Sequence, residues 1–72
     1  MKDCLKYFTE YANLCILYEK THDTTVKTQQ KNLIYDLPPH CGTIEDAKDI
    51  ICKCIKAEDS QNASVAYLIH CR

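Results

Sequence analysis

An all-α fold, a small disulfide-stabilised helical domain of three to four short helices with an antiparallel helix hairpin, is what this sequence predicts. Three observations predict it. The chain has 72 residues, a length that buries too little apolar surface for comfortable stability without staples. Six residues are cysteine, an even number that in so short a chain reads as three bridges in an oxidising compartment. Apolar residues also recur at helical spacing in several stretches, and no two segments offer strands that would pair. All of this fits one domain, residues 1–72.

The first expected helix covers residues 3–20. At 100° per residue, Leu14, Tyr7, Tyr18, Tyr11, Cys4, Cys15, Phe8, Ala12, Leu5 and Ile16 fill one arc of about 200°, with polar residues opposite, interrupted by Leu17. Such an arc is wider than contact with one neighbour needs, so two neighbours, or a neighbour and a ligand, are expected against it. Residues 21–32 are polar with little periodicity and read as a loop, with a short helix towards Leu33–Leu37. Pro38-Pro39 ends whatever precedes it, because a residue before proline is pushed out of the helical region. Gly42, the one glycine of the chain, stands where a sharp change of direction is wanted.

The best-signalled element follows. Thr43 is a cap, Glu45, Asp46 and Asp49 sit at the positive end of the helix dipole, and Lys53 and Lys56 lie towards the negative end. Ile44, Ala47, Ile50, Ile51, Cys54 and Ile55 form the apolar face of this helix, residues 44–57. Asp59-Ser60-Gln61-Asn62 is a turn and helix start, and residues 61–71 form a last helix.

Six cysteines allow 15 connectivities. Cys4 and Cys15 are about 16 Å apart along one helix and cannot bridge each other. Cys52 and Cys54 point apart, and helix geometry makes Cys41–Cys52 and Cys41–Cys54 improbable. Six connectivities survive. Ten residues separate Cys4 from Cys15, and ten also separate Cys41 from Cys52. Those equal spacings favour antiparallel pairing of the first helix with the helix of 44–57, hence Cys4–Cys52, Cys15–Cys41 and Cys54–Cys71. The second choice is Cys4–Cys54, Cys15–Cys41 and Cys52–Cys71.

The paired spacings, Cys4 to Cys15 and Cys41 to Cys52, resemble twin Cys-x9-Cys proteins of the mitochondrial intermembrane space, which are helical hairpins with nested bridges. Here each spacing is ten and the linker, residues 16–40, is far longer. The cysteine order with Cys52-Lys53-Cys54 also looks like that of plant lipid-transfer proteins, C, C, CC, CxC, C, C, lacking one cysteine of the CC pair and one of the last two. The two absent cysteines would belong to one bridge. The first resemblance implies an assembly factor of the intermembrane space, and the second a carrier with an apolar tunnel.

Charge and hydropathy narrow the function. The formal charge is −1, with a single arginine, Arg72, and no basic run, so neither a nucleic-acid groove nor a polybasic membrane patch is expected. Apolar runs are far shorter than a membrane span, and Met1-Lys2-Asp3 leads into an amphipathic segment, not a secretory signal.

Cys52-Lys53-Cys54 with His70-Cys71 is tight for tetrahedral zinc, and a Cys-x-x-Cys redox motif is absent. No metal and no cofactor are expected. His22, His40 and His70 form no catalytic set with cysteines that are oxidised, and Glu45, Asp46 and Asp49 are explained by their helix start. Tyr7, Tyr11 and Tyr18, with Leu14, make a stripe on the first helix, which serves either as a core margin or as a patch for a partner or apolar ligand. Asn62-Ala63-Ser64 fits the glycosylation acceptor pattern, which matters in the secretory route.

The expectation is therefore a secreted, non-enzymatic recognition protein, toxin-like, effector or hormone-like, binding a protein target through its first helix. The alternatives are a carrier of a small apolar ligand and an intermembrane-space assembly factor.

Overall fold

A computed structural model describes residues 2–58 and 60–71, with the side chains of residues 2, 3, 58, 60 and 62 outside the description. Four α-helices follow in order: α1 (Lys2–Thr21), α2 (Thr24–Asp36), α3 (Lys48–Glu58) and α4 (Ser60–His70), with a 3₁₀ turn at Pro39–Cys41 between α2 and α3. Among the described residues there is no strand. The protein is a small disulfide-stabilised all-α domain, as its composition and periodicity predict.

The centre of the fold is α1. Phe8, Tyr11, Ala12, Cys15 and Ile16 are buried on it, the i, i+3, i+4, i+7, i+8 stripe of a core-facing helix. They meet Ala47, Ile51, Ile55, Ala63 and Ala66 from the second half of the chain. The wide apolar arc meets three neighbours, α1 packing against α2, α3 and α4, while Leu5 of that arc stays exposed.

The polar stretch 21–32, expected as a loop, is instead most of α2. Its start is fixed locally. His22 takes φ +53°, a left-handed stop for α1. Asp23 then caps α2, its Oδ1 accepting the Thr25 N–H at 2.9 Å. Val26, Gln30, Leu33 and Leu37 recur at helical spacing on the face turned to α1. Val26 is buried, while Leu33 and Leu37 pack on the core. Ahead of Pro38, Leu37 is extended, so the helix ends where the two prolines predict.

Beyond the 3₁₀ turn, Gly42 reverses the chain at φ +77°. Thr43 and Asp46 then satisfy each other's backbones: Asp46 N–H donates to Thr43 Oγ1 at 3.2 Å, and Thr43 N–H donates to Asp46 Oδ2 at 3.1 Å. This reciprocal pair caps the turn that leads into the helix, whose regular part starts later than the expected residue 44. Residues 44–47 run as turns before the regular helix begins at Lys48.

The helices form two antiparallel hairpins. In the first, Tyr18 meets Lys27, Cys15 meets Gln30 and Cys4 meets Cys41. Each step back along α1 is matched by an equal step forward along α2 and the turn beyond it. In the second, Lys56 meets Tyr67 and Cys52 meets Cys71 with the same matching of steps. A disulfide closes the open end of each hairpin.

The bridges expected from equal spacing, Cys4–Cys52, Cys15–Cys41 and Cys54–Cys71, do not form. The bridges are Cys4–Cys41 and Cys52–Cys71, with Cα–Cα distances of 5.4 and 5.9 Å, while Cys15 and Cys54 remain thiols. The cause is the unrecognised α2. With α2 as the antiparallel partner of α1, the segment after it returns Cys41 to the start of α1, beside Cys4 and far from Cys15. Both bridges nevertheless belong to one of the six connectivities that helix geometry allows, and Cys52–Cys71 appears in the second choice.

Candidate recognition surface and the buried thiol

The four residues of the tyrosine stripe have three different fates. Tyr11 is buried, with the ring of His70 edge-on at 5.8 Å, so it belongs to no surface. Tyr18 is half-buried where α1 turns into α2, with His22 edge-on at 5.6 Å and Lys27 Nζ 5.0 Å from its ring centroid. This cluster holds the hairpin turn. Tyr7 and Leu14 line an open groove of about 470 Å³ between α1 and α2. Its other walls include Lys6, Glu10, Asn32 and Asp36, so the groove is of mixed polarity. The side chain of Asn62, and with it the glycosylation reading, lies outside the described residues.

Cys15 has become a core residue. It is 3% exposed, and its Sγ accepts a hydrogen bond from Gln30 Nε2 at 3.2 Å. Burial pushes its thiol up to about 12, against the opposing effect of Gln30 and with a small further rise from the charge of Glu19. His70 lines the same small cavity, about 240 Å³, where α1, α2 and α4 meet. Desolvation holds His70 below its ordinary value, with Glu19 opposing. A thiol this hard to ionise supplies almost no thiolate at neutral pH. Cys54 is half-buried elsewhere, with its Sγ 3.9 Å from Thr9 Oγ1. Of the zinc ligands weighed in the sequence, Cys52 and Cys71 are bonded to each other. The donors that do come together among the described residues are Cys4, His40 and Cys41.

The surface feature that sequence reasoning missed is the outer side of α4. Val65, Leu68 and Ile69 are exposed by 47%, 59% and 60%. Their i, i+3, i+4 spacing places them side by side. The opposite side of the helix buries Ala63 and Ala66 in the core. Apolar residues therefore surround α4, a pattern expected of a covered helix and not of a surface one. Alongside runs an open apolar groove of about 480 Å³, lined by Lys56, Ala63, Ser64, Tyr67 and Leu68. The stem of Lys56 crosses it with Nζ 4.5 Å from the Tyr67 ring centroid. The run Val65-Ala66-Tyr67-Leu68-Ile69, apolar at every position, was the signal available in the sequence.

No helix of the described residues is long and apolar enough to cross a membrane. No family model matches the chain, and neither a curated protein nor a solved structure matches it.

Proposed function

We propose that this chain is a secreted, non-enzymatic recognition protein that binds a protein partner through the outer face of α4. The observation that carries the reading is the row Val65, Leu68 and Ile69, exposed on a helix whose other side is already in the core. Three adjacent aliphatic side chains beside a tyrosine-lined groove are the kind of apolar anchor around which protein interfaces are built. Two stapled hairpins support this role, because a scaffold that is rigid before binding loses little freedom on binding. The bridges are also compatible with an oxidising compartment.

The test compares the biotinylated chain with a Leu68→Asp, Ile69→Asp variant of equal helicity as baits on intact cell surfaces. The reading expects a captured partner to be lost with the variant. Equal capture by both baits refutes it. A carrier role rests on the groove beside Tyr7 and Leu14, and displacement of a fluorescent fatty acid by the unmodified chain would favour that role instead. An intermembrane-space assembly role shares the stapled scaffold, and an upstream signal peptide in the encoded precursor excludes it.

A further inference from the structure

The bridge at the open end of the first hairpin has a third donor beside it. His40 adjoins Cys41 in the 3₁₀ turn, and a ring nitrogen of His40 and the Sγ atoms of Cys4 and Cys41 all lie within 4.8 Å of one another. We propose that reduction of Cys4–Cys41 opens a binding site for a thiophilic divalent cation of the zinc class. Its ligands are Cys4 Sγ, Cys41 Sγ and the His40 ring nitrogen.

The chemistry balances with a thiol reductant. Two RSH molecules supply two electrons and two protons; the Cys4–Cys41 S–S bond breaks, two S–H bonds form, and the reductant leaves as RS–SR. The cation then displaces both thiol protons to solvent, giving two thiolate ligands and one neutral imidazole. Zinc–sulfur distances of about 2.3 Å in a tetrahedral site put the two sulfurs roughly 3.8 Å apart. Side chains on Cα atoms 5.4 Å apart span that separation by rotation alone. His40 is exposed. The donor set leaves a fourth position open to solvent or to an added ligand.

The second bridge supplies a contrast within the same molecule. His70 adjoins Cys71 in sequence, but its ring is half-buried against Tyr11, and no third donor gathers around Cys52 and Cys71 among the described residues. Disulfide and metal are alternative ways of tying the start of α1 to the 3₁₀ turn, so the hairpin stays closed in either state. Sequence spacing conceals the site, since two ligands are neighbours and the third lies 37 residues from Cys41 in sequence.

The experiment uses the full chain, reduced with a phosphine and titrated with cobalt(II) as a spectroscopic probe, then with zinc. The proposal expects one equivalent of cobalt with tetrahedral d–d and thiolate charge-transfer bands, displaced by zinc, and no bands from the oxidised chain. His40→Ala weakens zinc binding by roughly tenfold or more, whereas Cys52→Ser with Cys71→Ser leaves it in place. If reduction lowers helicity, one equivalent of zinc restores it in the unmodified chain and not in His40→Ala. Absence of uptake by the reduced chain, equal affinity in His40→Ala, or loss of the bands in the Cys52→Ser, Cys71→Ser variant overturns the proposal.

Discussion

Replacing Cys4 and Cys41 with alanine opens a ring whose ends are 37 residues apart in sequence. The loop-entropy relation, −2.1 − 1.5R ln n cal/mol/K, converts that separation into about 3.8 kcal/mol of lost stability at 25 °C. For Cys52–Cys71, with a separation of 19, the same relation gives about 3.2 kcal/mol. A domain of this size has only about 4–11 kcal/mol in total, so either loss brings it close to unfolding. Urea denaturation followed by circular dichroism measures both. The diagnostic quantity is the coupling within each pair, because partners in one bridge lose the same constraint. Cys4→Ala should therefore carry nearly the whole effect, with Cys41→Ala adding little to it. Cys4→Ala and Cys52→Ala, which belong to different rings, should add. Additive effects at positions 4 and 41, or coupling between 4 and 52, would refute the hairpin register described here.

Three further outcomes are expected. Gly42→Ala should destabilise by about 1–3 kcal/mol in thermal or urea unfolding, because φ +77° with ψ −157° is a region open essentially to glycine. A Cβ there would also stand 3.0 Å from Asp46 Oδ2, disturbing the cap of the following turn. Thiol alkylation of the native chain at pH 8, read by mass spectrometry, should modify Cys54 and spare Cys15 until denaturant is added, given the burial of Cys15 and a thiol pushed up to about 12. Stability should also fall as pH drops below about 6.5, the ordinary histidine value. There the unfolded chain protonates His70 while the folded chain, holding it lower, still resists. The loss levels off below the folded value, and His70→Phe should flatten the profile across that window, as pH-dependent urea midpoints would show.

What the sequence revealed, and what it hid, follows from how each segment signals its partner. α1, α3 and α4 carry dense apolar periodicity, and the Thr43 cap and the two prolines mark ends that the fold respects. α2 carries only Val26 and Leu33 on its inner face, with Gln30 between them and Leu37 just past its end. A glutamine at a core-facing position reads as polar until its partner, the Cys15 sulfur, is known. Missing that helix misassigned every bridge of the first choice, because the equal spacing of the cysteines was matched between α1 and α3. Tyr11 and Tyr18 illustrate a second limit: periodicity puts an aromatic on the apolar side, but only packing decides whether it is covered. The aliphatic run of α4 was visible throughout, yet a short apolar segment looks the same whether it faces a core or the solvent.

Because the first crosslink spans 4–41 and the second 52–71, the two covalent loops sit in tandem along the polypeptide without overlapping. A protease that nicks the backbone once inside either loop leaves a molecule of unchanged mass, apart from one added water, on a non-reducing gel. A single nick anywhere between Cys41 and Cys52 instead divides it into two separately crosslinked fragments held together by packing alone.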